Sequence, residues 1–453
     1  MTLHATQDLP QLAADVLAQA KQRGATQADV MVADGRTFSV QVRLATVDRL
    51  TKAREKRLGL RVFVGKRSAS VSTSDFSRES LAGLVEETCA LARAVVEDEA
   101  SGLPDPSLMT QERLDLGIYD PTELSTDAQI EAARRAETAA MSADARIVNS
   151  EGADFNSAAG RVVLANSHGF LGDYRSSSFS LSVSPIAAEP GGTAMQRDSW
   201  YDVRRTYGML ASPESVGVEA ARRTVRRLGA KKVGTTKAPV IFDQETAASV
   251  LGHLCSAVSG YAVYKGASFL IGRLGQVIAS DCVTVTDNGL LPGGLGSRPF
   301  DGEGLPTRMT TVVEQGCLAS YLLDSYSGRK LGLASTGNAS RAVGESPSVG
   351  PTNFSLAPGP FKPDTIVASV RHGLYVTELI GFGVNLVTGD YSRGAAGYWI
   401  ENGELAYPVE EITIAGNLKD MLANIDMIGN DVVFRGRVAS PTLKIREMTI
   451  AGN

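Results

Sequence analysis

Glycine is spread unevenly along this 453-residue chain: residues 1–230 hold 16 and residues 231–453 hold 30. Glycine supplies the turns and bulges that interrupt regular elements, so the second half should be built from short strands and turns. The long helical patterns concentrate in the first half. This contrast predicts an α+β fold of two domains, residues 1–230 and 231–453, divided at Gly229–Thr236. The N-terminal domain would mix long helices with hairpins, and antiparallel strands would dominate the C-terminal one.

The periodicities fill in that outline. A first helix spans Leu9 to Arg23 and stops at Gly24. Short alternating segments follow at Ala28–Val32, Phe38–Leu44 and Leu60–Val64, the last turning at Gly65-Lys66 into Ser68–Ser72 as a hairpin. A long helix over Phe76–Glu97 carries Leu81, Leu84, Val85, Cys89, Ala92 and Val96 on one stripe. Thr126 and Gln129 read as a capping box before a helix reaching about Met141. Strands around Asn166–Gly169 occupy residues 145–186, and Ser212-Pro213-Glu214 starts a basic helix ending near Gly229. Beyond the boundary, strand Pro239–Phe242 feeds a helix from Asp243 to about Val258. After Gly260 the pattern is strands and turns, with one more short helix at Leu418–Ile428.

Charge and cysteine usage exclude several function classes. Lys and Arg number 45 against 50 Asp and Glu, a formal net charge of −5 that argues against direct binding of nucleic acid by charge. No run approaches ~18 consecutive apolar residues, so no membrane-spanning helix is expected. Met1–Gly24 lacks a basic start followed by an apolar core, so the expected location is cytoplasmic. Cys89, Cys255, Cys282 and Cys317 form no CxxC pair and read as reduced thiols.

The search for catalytic motifs is largely negative. The four histidines, His4, His168, His253 and His372, precede Ala5, Gly169, Leu254 and Gly373, so the His-Glu pair of a zinc-hydrolase helix is missing. No phosphate loop or nucleophile elbow is present, and Gly293-Gly294-Leu295-Gly296 reads as a turn. On the helix from Asp243, the residues Ala247, Val250, Leu251, Leu254 and Val258 share one face. His253 lies on the other side with Ser249, Gly252, Ser256 and Gly260, as a polar surface histidine, lining a site, or as a metal ligand, for which no partner has helical spacing to it. Asp301 and Glu303, in Pro299–Gly304, are expected as solvated turn acids with a carboxylate pair as the alternative. Asp390, Tyr391 and Arg393, in Gly389–Gly394, fit either an internal ion pair or a substrate-facing loop, and Ser325–Lys330 is polar and turn-like.

Long segments across nearly the whole chain resemble the TldD/PmbA family, and most closely its PmbA (TldE) branch. They include Gly59–Asp75 (GLRVFVGKRSASVSTSD), Asn166–Gly169, Met195–Asp198 (MQRD), Pro299–Arg308 (PFDGEGLPTR) and Ser325–Gly332 (SYSGRKLG). Val376–Glu404 (VTELIGFGVNLVTGDYSRGAAGYWIENGE) and Glu411–Asp431 (EITIAGNLKDMLANIDMIGND) extend the match. The resemblance implies a cytosolic metallopeptidase of two related subunits acting on unfolded peptides, with the second domain's strands around a peptidase-like cleft. In the TldD branch a His-Glu-x-x-x-His helix and a later cysteine hold zinc; the PmbA branch lacks that motif and is historically called a modulator of DNA gyrase.

Aligned with that helix, His253 stands where the first zinc histidine would be, Leu254 replaces the glutamate and Val258 the second histidine. Asp431–Thr442, where the cysteine would be sought, contains none. The resemblance therefore implies no catalytic or metal-binding residue and no cofactor in this chain, with zinc held by a TldD-like partner. His253, Asp301, Asp390, Tyr391 and Arg393 become candidates for a substrate channel or subunit interface. Two alternatives stay open: a self-sufficient homodimeric peptidase, and a peptide-binding regulator without catalysis.

Overall fold

The computed structural model describes residues 8–110, 112, 114–189, 191–192 and 194–452; His4 and the start of the N-terminal segment lie outside them. From Gln27 onward, alternating residues produce antiparallel strands of unusual length: β1 Gln27–Arg43, β2 Thr46–Val64, β3 Arg67–Thr73, β4 Ile147–Asn166 and β5 Leu171–Ala188. Strands β6 (Met195–Arg197) and β7 (Trp200–Arg204) complete a sheet of order β3-β2-β1-β4-β5-β6, with β7 also on β5. The two segments expected at Ala28–Val32 and Phe38–Leu44 are one strand. Asp34-Gly35-Arg36 between them carry no apolar alternation, yet Gly35 stays paired with Glu55 and Gly160, because the backbone ladder needs no apolar side chain.

That face carries two cores. Ala28, Val30 and Val32 pack under helices α1 (Leu9–Gln22) and α2 (Arg78–Ala94). Phe38, Val40 and Val42, ten residues on, pack under α3 (Thr126–Ala143) and α4 (Pro213–Val225). Since even positions of a strand share a face, both helix pairs sit on the same side of the sheet, at opposite ends. Val96 is 85% exposed and lies beyond the end of α2, so it is not part of the expected stripe. The N-cap of α3 is Ser125, whose Oγ accepts from Ala128 N at 3.1 Å. Gln129 forms no capping box; it turns inward and accepts from Ser157 Oγ at 2.7 Å.

The second half is strand-rich, making the fold α+β throughout. Strand β8 (Thr236–Phe242) leads into α5 (Gln244–Ala257), the one-turn α6 (Gly260–Tyr264) and β9 (Val285–Asn288). Then come β10 (Met309–Glu314), β11 (Cys317–Leu318), α7 (Ser325–Leu331), the ribbon β12–β13 (Ala339–Ser340, Ser348–Val349), β14 (Phe354–Leu356) and α8 (Pro363–Ala368). The chain closes with β15 (His372–Ile380), β16 (Asp390–Glu401), β17 (Glu404–Asn417), α9 (Leu418–Ala423), β18 (Ile425–Ile428), β19 (Val438–Ala439) and β20 (Leu443–Ala451). These strands form one sheet of order β17-β16-β15-β8-β20-β18 and another of order β11-β10-β9-β14-β19. Helix α5 packs against strands of both.

Two local expectations change. Ser325–Lys330 is helical, started by an Asp324–Ser327 capping box and ended by Gly332 at φ +66°. The helix expected to reach Ile428 stops at Ala423; Ile425 and Ile428 are buried only by joining β20 as a strand. All four cysteines are free thiols, and no helix among the described residues is long and apolar enough to cross a membrane.

The halves meet through buried polar contacts. Asp29 of β1 accepts from Arg61 Nε of β2 at 2.8 Å and from Arg341 Nη1, just past β12, at 2.6 Å. Phe300 meets Phe170 and Tyr174 edge to face, at 5.2 and 5.4 Å.

Candidate functional site

Helix α5 starts because the carboxylate of Asp243 accepts from Thr246 N at 2.9 Å. Burial pushes that carboxyl up to about 6. Ala247, Val250, Leu251, Leu254 and Val258 are buried in the core, as their spacing predicts. His253 is turned the other way and is half-buried against β16.

Strand alternation then brings Tyr391 and Arg393, two residues apart, to one face of β16 beside that helix. The rings of His253 and Tyr391 pack edge to face at 5.9 Å. Arg393 donates from Nη1 to Ser249 Oγ at 2.8 Å and from Nη2 to Leu379 O at 3.2 Å, tying α5 to β15. Burial and the Arg393 charge hold the His253 imidazole below its usual pKa, and burial pushes the Tyr391 phenol up to about 12. At neutral pH the cluster is a neutral imidazole, a neutral phenol and a fixed cation. His253 Nε2, Tyr391 Oη and Arg393 Nε are sealed from solvent without a hydrogen-bond partner in the chain. The set holds no carboxylate base, and its unpaired polar atoms lie beneath the surface.

Asp390 and Asp301 do not join this cluster. Asp390 lies on the opposite face of β16, exposed, accepting from Thr388 Oγ1 at 2.6 Å and Asn417 Nδ2 at 3.1 Å. Asp301 is 2% exposed and Glu303 3%, so the expected solvated acids are interior ones. Asp301 Oδ1 accepts from Glu303 N at 2.9 Å and Leu305 N at 3.0 Å, and its Oδ2 from Ala339 N at 3.1 Å. Glu303 Oε2 accepts from Ser325 N at 2.9 Å, and burial pushes both carboxyls up. The covering residues, Ser325 and Ala339, are remote along the chain, so a local reading of the turn leaves it bare. Ser249 is the residue whose role escaped sequence reasoning: its helical spacing placed it beside His253, but nothing local announced Arg393 as its partner.

Comparison with known proteins follows the same segments. Three family models, PmbA/TldA metallopeptidase domain 1, central domain and C-terminal domain, match residues 28–92, 119–228 and 235–452. Metalloprotease PmbA of Escherichia coli O157:H7 is 42% identical over 436 residues, covering 96% of this chain and 94% of that protein. The chain belongs to the PmbA/TldD metallopeptidase family. A PmbA homologue of Haemophilus influenzae is 39% identical, covering 99% of this chain and 97% of that one. Among solved structures, a proposed modulator of DNA gyrase from Bacteroides thetaiotaomicron superposes with a TM-score of 0.91 at 29% identity, covering 99% of this chain and all of that one. TldE from Thermococcus kodakarensis shares the fold at a TM-score of 0.88 and 21% identity, over 97% of this chain and all of that one.

Membership of a PmbA/TldD metallopeptidase family raises zinc, and the donor set does not fit it. Leu254 and Val258, 2% and 0% exposed, sit in the core where the family helix would need a base and a ligand. Burial pushes the neighbouring Cys255 thiol up to about 12, away from the thiolate that binds metal. The Arg393 cation beside His253 opposes a divalent ion. Asp431 is committed to Thr442 N at 3.0 Å, Thr442 Oγ1 at 2.8 Å and Gln244 Nε2 at 3.0 Å. Among the described residues no three His, Cys, Asp or Glu side chains converge as a metal site would require.

Proposed function

We propose that this chain is the metal-free, non-catalytic subunit of a cytoplasmic TldD/TldE-type zinc peptidase that degrades or processes unfolded peptides. The observation that carries this reading is the side-chain pattern of α5, where a core leucine and valine follow His253 and Arg393 faces it. The chain would complete the substrate channel and hold a TldD-like partner in its active shape, and the partner's zinc would activate water. His253 and Arg393, each half-buried, are assigned to the wall of that channel or to the interface, with the buried Tyr391 ring supporting His253 from behind. An extended peptide is held through its backbone, which gives affinity without strong sequence preference.

The test is cleavage of an unfolded protein substrate by the purified chain alone, by a TldD-like protein alone and by the two co-purified. Cleavage by the pair that a chelator abolishes, with no stoichiometric zinc in this chain alone, is the expected result. Chelator-insensitive cleavage by the lone chain would overturn it in favour of a self-sufficient hydrolase. Binding without turnover, even with the partner present, would make the chain a regulator.

A further inference from the structure

The helix-covered face of the N-terminal sheet has a gap. Between the α1/α2 pair and the α3/α4 pair the sheet is bare, and a groove of about 960 Å³ runs across it. Strand register lays cations over its floor: Lys56 stands opposite Asp34, Asp34 opposite Arg161 and Arg161 opposite Arg175. One step along, Arg54 stands opposite Arg36, and one step further Lys52 stands opposite Phe38. The counter-charges are fewer: Asp8, Asp34, Glu123 and Asp173 against Arg36, Lys52, Arg54, Lys56, Arg161 and Arg175. Asp34 is shared by Arg54 at 3.1 Å and Lys56 at 3.8 Å, Glu123 pairs with Arg36, and Asp173 pairs with Arg161. Lys52 has no ion-pair partner among the described residues, and Arg175 lies over the Tyr119 ring at 5.7 Å. A basic groove in a chain of net charge −5 is a local concentration of one sign.

The wall beside that floor is an open strand edge. Strand β3 pairs only with Leu58–Val64 of β2, so Thr46–Arg57 has no neighbour on its outer side among the described residues. At ~3.3 Å per residue this edge is roughly 40 Å of unpaired backbone donors and acceptors. Lys52, Arg54 and Lys56 recur at every second residue along it, on the groove face. That spacing, roughly 6.6 Å, is the spacing of same-side side chains on any strand laid beside it.

We propose that this edge and groove bind an acidic polypeptide segment in extended form, added to the sheet as a strand outside β2. Backbone hydrogen bonds along Thr46–Arg57 hold the segment, and carboxylates at alternate positions meet Lys52, Arg54 and Lys56. Asp8, Asp34 and Glu123 in the lining oppose any polyanion alike; the open edge Thr46–Arg57 is what favours peptide over nucleic acid, because only a polypeptide backbone supplies the alternating donors and acceptors that extend a ladder. The choice of peptide rests on the reading under Proposed function; the binding itself needs no partner subunit.

Fluorescence anisotropy of the full chain with labelled Glu/Thr, Gln/Thr and Lys/Thr alternating peptides tests this directly. The Glu/Thr peptide should bind at least about tenfold tighter than the Gln/Thr peptide, and the difference should shrink as salt rises from about 50 to 300 mM. Lys52→Glu at an exposed position, combined with Lys56→Gln at a half-buried one, should erase the preference, and the bound peptide should slow amide exchange within residues 46–57. Equal affinity for Gln/Thr, an unchanged double variant, or protection confined to other strands would overturn the proposal. A single-stranded DNA of equal charge that binds as tightly would also overturn it, as a polyanion site. None of those results touches partner-dependent cleavage, and failure of that cleavage would leave the acidic preference standing.

Discussion

His253 and Tyr391 meet with their ring planes inclined at 74°, and neither His253 Nε2 nor Tyr391 Oη has a hydrogen-bond partner in the chain. Such a pair gains roughly 0.5–1.5 kcal/mol from ring packing, while each buried polar atom left unpaired costs about 1–3 kcal/mol. The cluster therefore keeps hydrogen-bonding capacity that the chain by itself does not use.

Tyr391→Phe removes the idle hydroxyl and keeps the ring contact. Unfolding in denaturant should show stability unchanged or raised by about 1 kcal/mol. A loss of similar size would show that the hydroxyl is bonded in solution.

The His253 imidazole, held below its ordinary 6.5 by burial and Arg393, binds fewer protons folded than unfolded. Above 6.5 both states are neutral and the residue makes no difference with pH. As pH falls below 6.5 the unfolded state takes up the proton first, so stability drops until the folded imidazole also titrates. His253→Gln should flatten that acid-side decline relative to wild type, as read from Tm between about pH 7 and 5. Parallel curves would refute the assigned shift.

Arg393 and Ser249 give a graded pair. Arg393→Ala abandons Ser249 Oγ and Leu379 O together and should cost about 2–4 kcal/mol, whereas Ser249→Ala leaves the Leu379 bond and should cost about 1 kcal/mol. A double-mutant cycle should give strong coupling, since both changes break the same contact.

Asp29 sits between two guanidiniums, and these charges hold its carboxyl below the usual carboxylate range against the opposing effect of burial. Asp29→Asn removes the one carboxylate hydrogen-bonded to both Arg61 and Arg341, leaving the buried Glu303 as their nearby counter-charge, and should cost about 3–5 kcal/mol, measured by chemical denaturation. By the sign of the shift, the contribution of Asp29 is present above the unfolded value of 3.8 and is lost as pH falls through its lower folded value.

What could be read in advance was what repeats locally. The apolar stripe of α5, the Gly65-Lys66 hairpin and the Ser212-Pro213 helix start depend on neighbours within a few residues, and the fold contains them. Asp301 was misjudged because its burial comes from Ala339, and Ser249 was left without a role because its partner is Arg393, over a hundred residues away. The continuity of β1 was missed for the opposite reason: polar residues interrupt an apolar pattern without interrupting a ladder.

The length of β1 and β4 has a mechanical outcome. Val30 and Val40 belong to different cores yet ride on one uninterrupted ribbon, and Val163 and Phe155 do the same next to it. Slippage at either end would drag the far end out of register, so the strand floors of the two cores hold or fail together. Fraying is thereby confined to the rim, and the entire N-terminal half should melt in a single step, like a girder bolted at both ends.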